Sequence, residues 1–267
     1  AGTVENVNNM LATLNEKAFP SQETEIANLQ TFAEKVGFHK PLEIQDVPYY
    51  RRRQLVELHN FNEEVIREYF PLNKVFNNML SLAEKLFEIK IVEQKSPNRW
   101  HEDVKFFNVF DTSEGASADP LGGFYVDLYA RHDEKLIAEV NQGWVVNIRS
   151  RSEVTDTRPL SAMIFNFVQV PEKSVLLNVS DVHQLFNKFG MTLQQILTKS
   201  RYSELAGTSN VEWDAVDTVG KVMSNLLYSE KVLKLVTAHY SNEDSLPDKY
   251  VAAFLQNRKH LAGFNLC

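Results

Sequence analysis

The side chains able to do acid–base, nucleophilic or metal chemistry are scattered through this sequence rather than clustered. The seven histidines are His39, His59, His101, His132, His183, His239 and His260. No two stand four residues apart, so no H-E-x-x-H pair can present two imidazoles to a metal. His101-Glu102 follows Trp100 at the start of an expected strand, and one such pair is no signature. The lone cysteine, Cys267, excludes intrachain disulfides and cysteine-rich zinc or iron–sulfur sites. That fits a reducing compartment, or a fold that needs no covalent staples. Glycine is scarce, at 10 residues, and no G-x-G-x-x-G, Walker A loop or G-x-S-x-G elbow occurs. Gly122-Gly123 reads as a turn or strand start. Asn178-Val179-Ser180 matches a glycosylation sequon, and nothing else points to secretion. Arg51, Arg52 and Arg53 form the one dense basic run in a chain of net charge −7, and they read as a solvated helix face. Nucleic acid is therefore not an expected partner.

The elements that must position any site follow from length and periodicity. A chain of 267 residues, 43% hydrophobic and 24% charged, buries a sizeable core and is not disordered. No apolar run approaches the ~18 residues that cross a bilayer, and no signal peptide opens the sequence. Val4, Val7, Leu11, Leu14 and Ala18 form a helical stripe that Pro20 is predicted to end. Ser21 is read as the cap of a second helix, carrying Ile26, Leu29, Ala33 and Val36 and closed by Gly37; the two make a hairpin. A helix starts near Tyr49. Asn62 is read as an N-cap, with Phe61 and Ile66 stapled across it. Val75, Phe76, Met79, Leu80 and Ala83 make a long helical face. Segments 104–111, 122–129, 143–149 and 161–168, rich in aromatic and β-branched residues, predict a sheet of about four strands. Helices then return. Ser180 is read as the cap of one bearing Val182, Leu185, Phe186, Phe189 and Leu193. A second carries Trp213, Val216, Val219 and Met223, and Ser229 and Pro247 start two more. The fold class is mainly α with a small β-sheet (α+β). Its segments are helical over 1–100, sheet over 101–170 and helical over 171–267, in one compact lobe.

One stretch goes further. Asp181-Val-His-Gln-Leu-Phe-Asn187-Lys188-Phe189-Gly190-Met191-Thr-Leu-Gln194-Gln195-Ile-Leu-Thr resembles the zinc-site helix of the thimet oligopeptidase and oligopeptidase A family of metallopeptidases. That family writes it L-F-H-E-F-G-H-x-L-H-H-x-L-T. The likeness continues into Gly207 and Val211-Glu-Trp-Asp214-Ala-Val-Asp217, where the family has V-x-W-D-A-V-E. Gly123-Phe-Tyr-Val-Asp-Leu-Tyr-Ala-Arg131 is similar to the family's strand motif. Tyr69-Phe-Pro-Leu, Trp100-His, Phe165-Asn166-Phe167 and Asp46-Val-Pro-Tyr-Tyr50 also fit, so the resemblance covers essentially the whole chain. It implies the fold of the family's zinc-bearing lobe. It also implies that the family's catalytic region continues beyond Cys267 and begins before residue 1, so the expectation is a segment of a larger protein or a truncated relative.

The departures carry the functional reading. The resemblance implies two histidine ligands one turn apart, a glutamate base between them and a third, glutamate ligand. Here those positions are Asn187, Met191, Lys188 and Asp217. A neutral amide and a thioether bind zinc poorly, and a protonated lysine is no base and repels a metal. The following histidine pair is Gln194-Gln195, a second glutamate is absent over 219–224, and the family's glycine-rich segment looks replaced near 138–143. The family's zinc is accordingly predicted absent, with no cofactor and no catalytic residue.

The expectation is a catalytically inactive metallo-oligopeptidase homologue with a peptide- or protein-binding or regulatory role, intracellular in the cytoplasm or an organelle, without membrane partners. Lys188 is expected either to pair with Asp217 or Asp214, a cation in place of a cation, or to reach out to solvent. Extended peptide is expected at a sheet edge containing Gly123, Phe124, Tyr125, Tyr129 and Trp144. The alternatives are a zinc oligopeptidase with non-standard ligands, such as His183 with Asp217, and a purely structural interaction module.

Overall fold

The computed structural model describes residues 2–95, 98–112, 119–131, 134–135 and 143–266. Cys267, His132 and positions 138–142 of the replaced glycine-rich segment lie outside the described residues. The chain divides into two compact units, one of residues 1–66 with 247–267 and the other of residues 67–246. These cut across the segments 1–100, 101–170 and 171–267, because the last two helices return to the first.

The first unit is helical. Helix α1 runs Val4–Lys35 as one 32-residue element with Pro20 inside it. The expected hairpin is therefore not formed. Proline removes one intrahelical hydrogen bond and normally kinks a helix, but here the second half is anchored from outside. Leu29, Phe32 and Ala33 are buried, and Glu25 accepts the backbone N–H groups of Gly263 and Phe264 at 3.2 and 2.9 Å. Helix α2, Val47–His59, starts with Pro48 in its first turn, and Asn60 ends it in the left-handed region. Helix α3, Glu63–Ile66, is one turn; the Asn62 side chain accepts from the Glu64 N–H, and both Phe61 and Ile66 are buried. Leu29, Val47 and Leu261 form the unit's core with Leu42, Tyr50 and Phe264 against them.

The second unit builds a five-stranded sheet against helices. Helix α4, Leu72–Phe87, buries Val75, Phe76, Met79, Leu80 and Ala83 as the periodicity predicts. The strands are β1 Ile89–Gln94, β2 Lys105–Asp111, β3 Gly122–Tyr129, β4 Trp144–Arg149 and β5 Leu160–Phe167. Four match the expectation. Strand β1 was not expected: it follows α4 after one residue, Glu88, in the left-handed region, so no turn cluster separates it from the helix. The order is β1-β2-β3-β5-β4, with β3 parallel to β5 and the other pairs antiparallel. Helix α5, Val179–Ile196, is capped by Asn178 rather than Ser180: the Asn178 and Asp181 side chains each accept the other's backbone N–H. A row of rings joins helices and sheet, from Phe76 through Phe107 and Phe124 to Phe189, with centroids 5.3–6.1 Å apart.

Helix α6 is Thr218–Asn225 and α7 is Glu230–Val236. Trp213, expected on the inner face of the former, lies before it in a turn and is 94% exposed. Asp217 is the residue that opens α6, so the helix is shorter than its apolar pattern suggested. In the first unit, α8 is Asp248–Asn257 behind Pro247, and α9 is Ala262–Leu266. Among the described residues, no helix is long and apolar enough to cross a membrane.

Candidate functional site

The residues singled out by the zinc-helix resemblance lie on α5 and at the start of α6. These helices touch because both contribute glycine at the crossing. A Cβ on Gly190 would stand 2.7 Å from the Val219 carbonyl oxygen and 2.9 Å from the Gly220 Cα. A Cβ on Gly220 would stand 2.4 Å from Asp217 Oδ1 and 2.7 Å from Asn187 Nδ2. The close crossing brings Asn187 and Asp217 together: the buried Asn187 Nδ2–H donates to Asp217 Oδ1 at 2.8 Å. The other carboxylate oxygen faces Lys221, one turn on, at 3.5 Å.

The ion pair expected of Lys188 is not formed. Among the described residues, no ion pair within 4 Å joins Lys188 to Asp217 or Asp214; Asp217 is met instead by Lys221 and Asn187. The Lys188 backbone carbonyl accepts from Thr192 Oγ1 at 2.9 Å. The geometric reason lies in α6: Asp217 starts that helix, so the residue four positions later shares its face.

The glutamines have acquired structural work. Gln194 Nε2–H donates to the Gly207 carbonyl at 3.1 Å, and buried Gln195 Oε1 accepts from the Thr208 N–H at 3.3 Å. They tie the loop after α5 back onto the helix. His183 stacks near Tyr228, ring centroids 5.1 Å apart.

The donor set at these positions differs from the one the resemblance implies for zinc. Its one carboxylate, Asp217, already accepts from Asn187 and faces a lysine, and the other positions supply an amide, an ammonium and a thioether. Among the described residues, no group of three or more His, Cys, Asp or Glu side chains could hold a metal ion. A catalytic zinc needs three protein ligands and an open position. These residues do not fit it, and the pairing of His183 with Asp217 is not extended by a third donor.

The expected peptide edge is corrected by the topology. Gly123, Phe124, Tyr125 and Tyr129 belong to β3, which pairs with β2 on one side and β5 on the other. Gly123, Phe124 and Tyr125 are paired on both sides, so this part of β3 cannot receive a further strand, while Tyr129 is paired with Phe167 of β5. Trp144 lies in β4, which pairs only with β5 among the described residues. Val146 and Ile148 are exposed there.

A buried charge cluster went unassigned in the sequence. Asp127, 1% exposed on β3, accepts from Trp100 Nε1 at 2.8 Å, from Arg131 through two bonds at 3.0 and 2.7 Å, and from Lys135 Nζ at 3.0 Å. Lys135 also donates to the Tyr129 and Phe165 carbonyls. Burial alone raises the Asp127 carboxyl, but the hydrogen bonds from Arg131, Trp100 and Lys135 outweigh it and hold it below the usual range. Burial pushes the Lys135 ammonium down despite that pairing. The signal was Asp127 and Arg131 inside the strand motif, four residues apart, with Trp100 upstream; what it lacked was any sign that three segments meet.

Fold and site define a helix-rich α+β lobe in which Asn187 of α5 hydrogen-bonds Asp217 at the start of α6. A family model described as Peptidase family M3 matches residues 1–267, and the chain belongs to that family. It is 30% identical over 253 residues to oligopeptidase A of Haemophilus influenzae, covering 93% of this chain and 36% of that protein. It is 31% identical over 248 residues to oligopeptidase A of Escherichia coli, covering 91% and 36%. A probable cytosolic oligopeptidase A of Arabidopsis thaliana is 31% identical over 271 residues, covering 98% and 38%. The chain thus spans little more than a third of the length of these curated relatives.

Proposed function

We propose that this chain is a catalytically inactive member of the family that binds peptide or protein instead of cleaving it. The observation that supports this reading is the Asn187–Asp217 hydrogen bond. Two positions that resemble zinc ligands satisfy one another, and the position of the base holds Lys188. Asparagine to aspartate is a complete donor–acceptor pair without a metal, and the Lys221 ammonium, 3.5 Å from Asp217, opposes a dication. The zinc site is read as lost and the fold as kept, because the apolar face of α5 is intact.

Binding is assigned to the outer side of β4. Extended peptide adds to an exposed edge through backbone hydrogen bonds, with side chains alternating between faces. An intracellular setting goes with this reading, supported by the description of the Arabidopsis relative as probable cytosolic.

Metal analysis and a quenched-fluorescence peptide assay test the first part. Substoichiometric zinc and no chelator-sensitive cleavage are expected; stoichiometric zinc with chelator-sensitive cleavage overturns it. Calorimetry across a peptide library tests the second. Binding that V146P abolishes is expected, since proline removes a ladder donor and disturbs the strand's geometry. Silence across the library overturns the peptide role and leaves an interaction module that recognises folded protein.

A further inference from the structure

The first unit holds a cleft of about 600 Å³, within the size range of sites for small organic ligands. Helix α2 supplies one wall. Its residues at positions 47, 51 and 55, and at 48, 52 and 56, form two adjacent rows one turn apart. Each row is apolar, arginine, apolar: Val47, Arg51 and Leu55 in one, Pro48, Arg52 and Val56 in the other. Two guanidinium groups therefore stand between hydrophobic contacts. Phe61, Glu63 and Glu64 also line the cleft, as do Phe264 and the amides of Asn257 and Asn265.

Among the described residues, no ion pair within 4 Å engages Arg51, Arg52 or Glu63, although other surface lysines and arginines find carboxylates. A ligand that satisfies the cleft must bring an anionic group for the arginines and a cationic group for Glu63. It needs apolar bulk for Leu55, Phe61 and Phe264. It also needs donors and acceptors for two amide side chains. A fatty anion has no cation and would leave the asparagines unpaired; a phosphate has no apolar body.

We propose that this cleft binds short, free peptides of apolar side chains, through their two charged termini. The α-carboxylate is held by Arg51 and Arg52, whose planar donors match a carboxylate in a bidentate fork. The α-ammonium is held by Glu63, and the peptide amides pair with Asn257 and Asn265. The site goes beyond the strand-edge reading and is independent of it, since it uses no residue of the sheet.

Calorimetric titration of the chain with the free tripeptide Leu-Leu-Phe tests this. The comparison probes are its C-terminal amide, its N-acetyl form and sodium decanoate. The free tripeptide is expected to bind with submillimolar Kd. Amidation should weaken it about tenfold and N-acetylation by roughly a factor of five, while decanoate should bind far more weakly. R51Q/R52Q should lose about tenfold, and E63Q should remove the difference between free and N-acetyl peptide. V146P should change none of these values, which separates this site from the β4 edge. R52Q alone, at an exposed position, replaces the double variant if the latter's circular dichroism departs from the parent's. No binding up to roughly 5 mM, equal affinity for the amide, an unaffected arginine variant, or decanoate binding as tightly as the tripeptide overturns the proposal.

Discussion

Asn187 and Asp217 meet through a single hydrogen bond of 2.8 Å that ties the middle of α5 to the residue opening α6. The amide is buried and the carboxylate is partly open to water. A hydrogen bond to a charged acceptor contributes about 1.5–3 kcal/mol, and an unpaired buried amide costs a similar amount. N187A should therefore lower the unfolding free energy by about 2 kcal/mol in urea titration. Because protein groups make this link, a chelator should leave the melting temperature of the parent unchanged. A chelator-dependent drop would show that a metal, not this bond, holds α5 to α6.

The crossing that permits the bond leaves no room for a methyl group. G190A places a Cβ 2.7 Å from the Val219 carbonyl oxygen, a backbone atom that cannot swing aside. Overpacking of this kind costs about 1–3 kcal/mol. The expected result is a lower urea midpoint with an unchanged slope, even though alanine favours helix more than glycine does. A stabilised G190A would mean that the helices separate easily.

Acid should act first on the cluster around Asp127. Its folded-state pKa is depressed below the model-peptide value of 3.8. The stability it contributes is present above that value and lost as pH falls through the folded one. Between pH 5 and 2 the parent should lose stability more steeply than D127N. At neutral pH, D127N should already be destabilised by about 3 kcal/mol, because Arg131 and Lys135 lose their shared anion. Parallel acid limbs for parent and variant would remove Asp127 as the cause.

His260 gives the first unit its own pH dependence. Burial, then the charges of Arg51 and His59, lower the ring from 6.5 to about 4. Its Nε2 lies 2.8 Å from Gln54 Oε1. The unfolded chain binds the proton more readily, so stability is full above pH 6.5 and falls as pH drops towards 4. With the ring in partial contact with water, the effect is on the order of 2 kcal/mol. Urea midpoints measured from pH 7 to 4 should slope for the parent and flatten for H260Q.

Much of this protein was legible in the sequence because the relevant physics is local. The stripe of α4 and the alternation of β2, β3 and β5 put their residues inside on periodicity alone. The side chains at 187, 188, 191 and 217 are legible as an amide, an ammonium, a thioether and a carboxylate, whatever the fold does with them. Local rules failed where a distant segment intervened. Pro20 is a helix breaker by itself, yet α1 continues because α9 anchors its second half. Trp213 fits a helical stripe, yet the helix begins only at Thr218.

Tertiary structure alone decided which groups meet. Lys188 and Lys221 are both cations within reach of an acidic position in principle. Asp217 faces Lys221 because the start of α6 places residue 221 one turn above it. Strand order removed β3 from the sheet's edge and left β4 there, although both have the composition of strands. Composition and spacing fix what a side chain can do; register, crossing distance and strand order fix what it does it to, and these depend on contacts between residues far apart in the chain.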